Sequence, residues 1–120
     1  MLINFTNHPS SKWDEKQKST ALSLFSEILD IPFPNVSPKA TQEDIDILAK
    51  EYLNKICSIK VETPITVHIM GELNLCFNLI NKLKKLGIPC VASTTERNTQ
   101  DMEDGSKIVK FDFVQFRSYC

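Results

Sequence analysis

The stretch from Ile65 to Thr95 constrains the fold more than any other part of the chain, because its pattern predicts a strand, a glycine turn, a helix, a glycine stop and a second strand. β-Favouring residues alternate up to Gly71, where the first strand ends. The run from 88 to 92 is short and almost entirely apolar, as expected of a strand buried on both faces. Together these elements predict a βαβ unit with a right-handed crossover. Between the strands, apolar residues recur at helical spacing and are expected to face the core: Leu73, Cys76, Phe77, Ile80, Leu83 and Leu86.

Capping signals predict two further helices. Ser11 followed by Asp14 resembles a capping box, so we expect a helix to begin near Trp13. Thr41 followed by Asp44 gives the same signal before the clearest amphipathic stripe in the chain.

Three other segments carry strand signals. Residues 1–6 form a short apolar run, and residues 28–33 form another that ends at two prolines. The turn signal Asp104-Gly105 precedes alternation over 107–117, which predicts an antiparallel ribbon. The element order β-α-β-α-β-α-β-β predicts a single α/β domain over residues 1–120. We expect a three-layer Rossmann-like sandwich with a mostly parallel sheet of order 2-1-3-4 and a C-terminal antiparallel edge strand.

Charge and hydropathy restrict the partners. The formal net charge of −1 argues against a protein that coats nucleic acid, so we expect no binding to duplex DNA. No apolar run approaches the roughly 18 residues of a membrane span. Met1 leads into the first strand without a charged leader. We therefore expect a cytoplasmic protein without a membrane partner.

The cysteines show neither a metal-site nor a disulfide pattern. They are scattered, without a CxxC pair, and we expect small buried hydrophobic residues at Cys57, Cys76, Cys90 and Cys120. No other cluster has metal-ligand spacing, and neither a GxGxxG nor a Walker loop is present. We therefore expect neither a metal nor a cofactor.

Polar segments follow the predicted parallel strands, whose carboxyl ends meet at one edge of the sheet. We expect a ligand site there, formed by side chains that bind sugars, phosphates or base edges. Polar residues are also common in such turns as helix caps and turn formers, and that alternative stays open. The expected rim residues are Asn7, His8, Ser10, Ser11, Lys12, Gly71, Asn74, Thr94, Thr95 and Arg97.

Five residues of this edge have candidate roles. His8 is the candidate for proton transfer, since histidine titrates near neutrality, although it also fits a turn residue bound to a backbone carbonyl. Lys12 and Arg97 are candidate phosphate ligands or plain solvated charges. Gly71 would let a phosphate approach the following helix N-terminus, whereas Glu72 would repel one and instead hold a ribose hydroxyl or cap the helix.

The second histidine lies elsewhere. His68 alternates with Val67 and Ile69 inside the predicted central strand. We expect a hydrogen-bonded core histidine there rather than a catalyst.

Three segments, NFTNHPSSKW, IPFPNVSP and VHIMGELNLCFNLINKLKKLGIPCVASTTER, carry a family resemblance over nearly the full chain. The chain resembles the small single-domain Rossmann-like proteins encoded beside type III CRISPR systems, which are similar in layout to CARF domains. Some of these are ring nucleases that bind and cleave cyclic oligoadenylate messengers. The resemblance implies a homodimer that binds a small cyclic oligonucleotide across its two-fold axis. It also implies metal-independent cleavage, by attack of a ribose 2′-hydroxyl on its own phosphate.

The resemblance further implies roles in catalysis. Lys12 and Arg97 would steady the phosphate. His8 or Ser11 would assist proton transfer.

Ligand contacts are implied in the same way. Glu72 and Asn74 would hold ribose, and Trp13 or Phe33 would provide the stacking surface for adenine. Two alternatives stay open beside this reading. One is an enzyme of the nucleoside deoxyribosyltransferase type with Glu72 as nucleophile, and the other is a protein that binds a nucleotide without turning it over.

Overall fold

The computed structural model describes residues 1–119. Its elements in chain order are β1 (Leu2–Phe5), a 3₁₀ turn (Ser10–Lys12), α1 (Glu15–Phe25), β2 (Ile28–Asp30), α2 (Gln42–Cys57), β3 (Thr66–Ile69), α3 (Leu73–Lys85), β4 (Cys90–Asp101) and β5 (Lys107–Ser118). The strands form one mixed sheet in the order β2-β1-β3-β4-β5, in which β5 is antiparallel to β4 and the other pairs are parallel. This α/β architecture is consistent with a Rossmann-like fold, and the antiparallel edge strand was predicted from the sequence.

Helices cover both faces of the sheet. Successive strand residues point to opposite faces, so Leu2 and Ile3 belong to different apolar clusters. On one face α2 and α3 pack against Ile3 and Phe5. On the other face α1 packs through Ala21, which clusters with Leu2 and Val91. The carboxyl ends of β1, β2 and β3 are left at a common edge between these layers.

The start of α1 differs from its prediction. The helix begins at Glu15 rather than near Trp13. Ser11 lies in the 3₁₀ turn, and the N-cap is Asp14, whose carboxylate accepts a hydrogen bond from the backbone N–H of Gln17 at 2.7 Å. The predicted Ser11–Asp14 capping box is therefore wrong, because the aspartate caps the helix by itself.

The predicted capping box of α2 is confirmed. The N–H of Asp44 donates to the hydroxyl of Thr41 at 3.1 Å, and the N–H of Thr41 donates to the carboxylate of Asp44 at 2.9 Å. Two orphan donors of the helix start are thereby satisfied. Within residues 1–119, no helix combines the length and apolar character that crossing a membrane requires.

The buried stripe of α3 is displaced from the predicted one. Leu73 and Phe77 are 82% and 72% exposed, whereas the residues that reach the core are Leu75, Cys76, Leu79 and Leu83. Residues two positions apart lie about 200° apart around a helix. Burial of Leu75 therefore turns Leu73 toward solvent, and only Cys76, Leu83 and the partly buried Ile80 of the predicted stripe pack on the core.

The end of the sheet also departs from its prediction. β2 stops at Asp30 instead of residue 33, and β4 continues through the polar segment to Asp101. The pairing of β4 with β5 runs from Val91–Ser118 to Asp101–Lys107, with a register shift between Thr94 and Thr95. The segment from 94 to 98 is thus paired strand rather than a loop. We call the exposed outer part of this ribbon, residues 96–112, the β4–β5 arm.

Two of the cysteines behave as predicted. Cys76 and Cys90 are buried, and burial raises the pKa of each thiol to about 11. Cys57 is exposed near the end of α2, so the prediction of a buried residue is wrong there. Cys120 lies outside the described residues.

Candidate functional site

A cleft of about 550 Å³ opens at the carboxyl edge of the parallel strands. It lies between the ends of β1 and β3, the start of α1 and the base of the β4–β5 arm. Its volume falls within the range of small-molecule sites, and its position is the one at which open α/β sheets bind ligands. Six of the residues predicted for the site line it: Asn7, His8, Lys12, Trp13, Gly71 and Thr95.

A buried asparagine organises the polar groups beneath this cleft. The side-chain nitrogen of Asn4 donates to the carbonyl of His8 and to a carboxylate oxygen of Asp30, each at 2.8 Å. Both partners are acceptors, so they fix the orientation of the amide. The oxygen of Asn4 therefore faces Nδ1 of His68, at 2.9 Å. Since this oxygen can only accept, Nδ1 of His68 carries the hydrogen and Nε2 carries a lone pair.

His68 is the last residue of this hydrogen-bond network. It is 2% exposed, lines the cleft, and has an Nε2 atom without a hydrogen-bond partner among the described residues. Burial lowers the pKa of His68 to about 4. Its ring contacts those of Trp13 and Phe116 edge-on, with centroid distances of 5.5 Å and 5.3 Å. The predicted hydrogen-bonded core histidine is confirmed, but its second nitrogen is buried without a partner among the described residues.

Asn4 and Asp30 were missed by the sequence reasoning. A signal was present, since each is a polar residue inside a short apolar strand. The three residues Asp30, Asn4 and His68 are register partners on adjacent parallel strands. Their side chains therefore lie side by side on one face of the sheet.

Asp30 also holds the loop that follows β1. Its two carboxylate oxygens accept hydrogen bonds from the backbone N–H of Ser10 at 3.0 Å and from the Ser10 hydroxyl at 2.8 Å. Burial by itself would raise the pKa of Asp30, but the hydrogen bonds from Asn4 and Ser10 outweigh it and keep the pKa below its usual range. Ser10, predicted to bind ligand, is thus engaged in anchoring the loop.

The backbone of His8 is fixed more firmly than its side chain. Its carbonyl accepts hydrogen bonds from Asn4 at 2.8 Å, Thr6 at 3.1 Å and the indole nitrogen of Trp13 at 3.2 Å. The imidazole of His8 is exposed at the rim of the cleft. Lys12 is exposed as well and makes no ion pair within residues 1–119. Both side chains are therefore available to a ligand.

Phe33 and Gly71 serve the core. The ring of Phe33 is only 8% exposed and lies 4.8 Å from the ring centroid of Phe5. A Cβ added at Gly71 would lie 2.6–2.7 Å from three carbons of the Phe33 ring. The glycine is thus needed for close packing, and Phe33 is not accessible as the predicted stacking surface for adenine. Trp13 remains the accessible aromatic ring of that pair.

Glu72 and Asn74 lie away from the cleft, in a groove of about 870 Å³ between α2, α3 and the 36–41 loop. The carboxylate of Glu72 accepts hydrogen bonds from the N–H of Leu75 at 2.8 Å and from the N–H and amide of Asn74 at 3.1 Å and 2.8 Å. The bond from Leu75, together with those from Asn74, holds the pKa of Glu72 below its usual range. The capping alternative is therefore confirmed for Glu72.

Three other predicted residues do not line the cleft. The hydroxyl of Thr94 donates to the carbonyl of Gln115 at 3.3 Å, and Arg97 is exposed on the β4–β5 arm opposite Phe111. Ser11 is exposed in the 3₁₀ turn. In the part of the chain that the structure describes, no group of three or more His, Cys, Asp or Glu residues is placed to hold a metal ion.

The comparisons with known proteins give one family. A family model described as "Uncharacterized protein MJ1673 family" matches residues 1–117, which include every element of the cleft. No curated protein and no solved structure matches the chain.

Proposed function

We propose that this chain, which belongs to the Uncharacterized protein MJ1673 family, binds cyclic oligoadenylate in type III CRISPR signalling and acts as a metal-independent ring nuclease. The observation that carries this proposal is the convergence of Lys12, Trp13 and His68 on one cleft at the carboxyl edge of the sheet. A cation for phosphate, an aromatic ring for a base and an acceptor for a ribose or base donor are groups that bind nucleotides. A Rossmann-like fold and a cytoplasmic location belong to the same proposal.

The proposed reaction relies on positioning. A ribose 2′-hydroxyl of the bound ligand attacks the adjacent phosphorus, so that a bond from the 2′-oxygen to phosphorus forms while the bond from phosphorus to the 5′-oxygen breaks. The products are a 2′,3′-cyclic phosphate and a 5′-hydroxyl. Lys12 neutralises charge that develops on the phosphate oxygens. The exposed imidazole of His8 takes the proton of the 2′-hydroxyl and returns one to the 5′-oxygen.

A homodimer is part of the proposal, and the β4–β5 arm supports it. Phe111 and Val109 on the arm are 64% and 43% exposed. A two-stranded ribbon is only marginally stable alone in water, so packing on a second copy would stabilise it. Sedimentation velocity on the purified chain tests this assembly, and a monomer at every concentration would contradict it.

The two alternatives fare differently. A transferase with Glu72 as nucleophile is disfavoured, because both carboxylate oxygens cap α3 and the group lies in the α2–α3 groove rather than beside Lys12. Binding without turnover is the second candidate. The low pKa of His68 makes this buried imidazole a weak base, so turnover would depend on His8 as the one remaining histidine.

Cyclic tetra-adenylate at about 100 times its Kd is expected to stabilise the folded protein by about 2.7 kcal/mol and to raise its melting temperature. Lys12→Ala removes the cation that faces the phosphates and is expected to weaken binding about tenfold or more. Lys16→Ala, which removes an exposed lysine of α1 outside the cleft, is the matched control and should leave the shift unchanged.

The same samples separate the hypotheses. If neither cyclic tri-adenylate nor cyclic tetra-adenylate shifts the melting temperature, the proposed ligand is ruled out. If Lys12→Ala shows the same shift as the wild type, the cleft is ruled out as the binding site. Chromatography of the ligand after long incubation distinguishes the ring nuclease, which yields a linear product, from the binding protein, which returns the ring intact.

A further inference from the structure

The hydrogen-bond network of the fold determines which nitrogen of His68 is left without a partner among the described residues. Asp30 and the carbonyl of His8 fix the amide of Asn4, and Asn4 fixes the tautomer of His68. Nε2 is consequently left with a lone pair that has no partner among the described residues, in a buried ring that lines the cleft. A buried acceptor left unsatisfied lowers the stability of the folded protein, so an arrangement that maintains one calls for a donor from outside the chain.

We propose that Nε2 of His68 is the acceptor that recognises a neutral O–H or N–H donor of the ligand in this cleft, with Asn4 and Asp30 as its positioning residues. The inference rests on the proposed function, which supplies the ligand. It assigns a specific contact to a residue for which the sequence pattern predicts only a core role.

The character of the donor follows from the surroundings. An acceptor lone pair requires a hydrogen from the ligand, and Lys12 at the same cleft disfavours a cationic donor. The ring contacts of Trp13 and Phe116 cover His68 and exclude bulk water from it. A cyclic oligoadenylate offers two neutral donors of the required class: the ribose 2′-hydroxyl and the exocyclic amine of adenine.

Recognition is a better role for this nitrogen than proton removal. A histidine whose pKa lies near 4 is unprotonated at neutral pH and accepts hydrogen bonds, but it is a poor base toward a hydroxyl. His68 therefore orients the ligand, while proton transfer stays with the exposed His8 at the rim.

The arrangement can be tested without ligand. In histidine-labelled protein at pH 7, long-range ¹H–¹⁵N spectra are expected to show His68 as a single neutral tautomer with hydrogen on Nδ1. His8 gives an internal comparison in the same spectrum. Hydrogen on Nε2 of His68, or a charged ring, would overturn the inference.

The contact itself is tested by adding cyclic tetra-adenylate to the same sample. The Nε2 resonance is expected to move toward that of a hydrogen-bonded nitrogen. This measurement uses the wild-type chain and so does not depend on whether a variant folds. An unchanged resonance in the bound protein, as expected if Nε2 stays buried without a ligand donor, would overturn the inference.

Ligand analogues identify the donor. The 2′-deoxy ring lacks the hydroxyl, and the inosine ring replaces the adenine amine by a carbonyl oxygen. One of the two is expected to bind wild-type protein about tenfold more weakly than the parent ring, and His68→Phe should remove that difference. The inference would be overturned if both analogues bound the wild type as tightly as the parent ring does. It would also be overturned if the loss of affinity for an analogue persisted in His68→Phe.

Failure of the inference and failure of the proposed function give different results. If the wild type binds cyclic tetra-adenylate and neither analogue nor variant changes the affinity, the function stands and the role of His68 is wrong. If the wild type binds no cyclic oligoadenylate, the function is wrong and the ligand contact assigned to His68 falls with it.

Discussion

Replacing Gly71 with alanine is expected to lower the free energy of unfolding by about 1–3 kcal/mol, although the change adds a single methyl group. The added Cβ would lie 2.6–2.7 Å from three ring carbons of Phe33. That ring is buried and packs on Phe5, so moving it away from the new Cβ would disrupt this packing. The residue is predicted to be intolerant of a side chain because of this packing, whether or not a ligand binds nearby. Urea unfolding of the two proteins measures the effect.

A double-mutant cycle attributes the loss to that contact. In a Phe33→Leu background, Gly71→Ala is expected to cost much less, because the ring carbons that clash are absent, so the two substitutions should couple by about 1 kcal/mol or more. Simple additivity of the two losses would contradict the explanation. A large loss of ligand affinity in a folded Phe33→Leu protein would instead restore the stacking role predicted for that ring.

Acidification from pH 7 to pH 5 is expected to lower the free energy of unfolding by about 2 kcal/mol through His68 alone. The pKa of His68 is about 4 in the folded protein, against 6.5 for an ordinary histidine. Between these values the unfolded chain binds a proton that the folded chain does not, so stability falls as the pH falls. The loss of stability begins near the pKa of His68 in the unfolded chain and levels off below the pKa of His68 in the folded chain. Urea titrations at several pH values measure it.

The chosen pH range separates His68 from the carboxylates. Asp30 and Glu72 have lowered pKa values, so they contribute stability that is lost only as the pH falls from about 4 downward. His68→Phe, if folded, should lack the loss between pH 7 and pH 5, and His8→Gln at the exposed rim should retain it. A flat pH dependence in the wild type would contradict the assigned burial of His68.

Much of the architecture follows from local patterns. Short apolar strands alternate with amphipathic helices, and this alternation is sufficient to predict a parallel α/β sheet with an antiparallel edge strand. The Thr41–Asp44 capping box was likewise readable, since all its contacts lie within four residues. The buried stripe of α3 could not be predicted in this way, because this helix has more apolar residues than one face can bury. Tertiary packing selected Leu75 and Leu79 over Leu73 and Phe77.

The site was predictable in outline and not in detail. Residues that immediately follow β1 and β3 reach the cleft, as the topology of a parallel sheet requires. Glu72 and Asn74 do not, because α3 and α1 lie on opposite faces of the sheet and the chain after Gly71 turns toward the α2 side. The network from Asp30 to His68 joins residues up to 64 positions apart, and only the strand register brings them together.

The polar segment after residue 94 was the largest error in the strand assignment. Its composition is that of a loop, yet it pairs with β5 along its length. Backbone hydrogen bonds of a ribbon do not require apolar side chains, so composition gave no warning. As a consequence, the sequence pattern predicts Thr94 and Arg97 in a loop at the site, whereas they lie in the outgoing strand β4.

A ¹H–¹⁵N titration of the purified protein with cyclic tetra-adenylate tests the central claim, which is that this cleft binds the messenger. The predicted result is a set of saturable shifts at backbone amides around the cleft: Thr6, His8, Lys12, Gly71 and Thr95. Amides of the α2–α3 groove, such as those of Asn78 and Asn81, should stay in place. No shifts at saturating ligand, or shifts centred on the groove, would contradict the account.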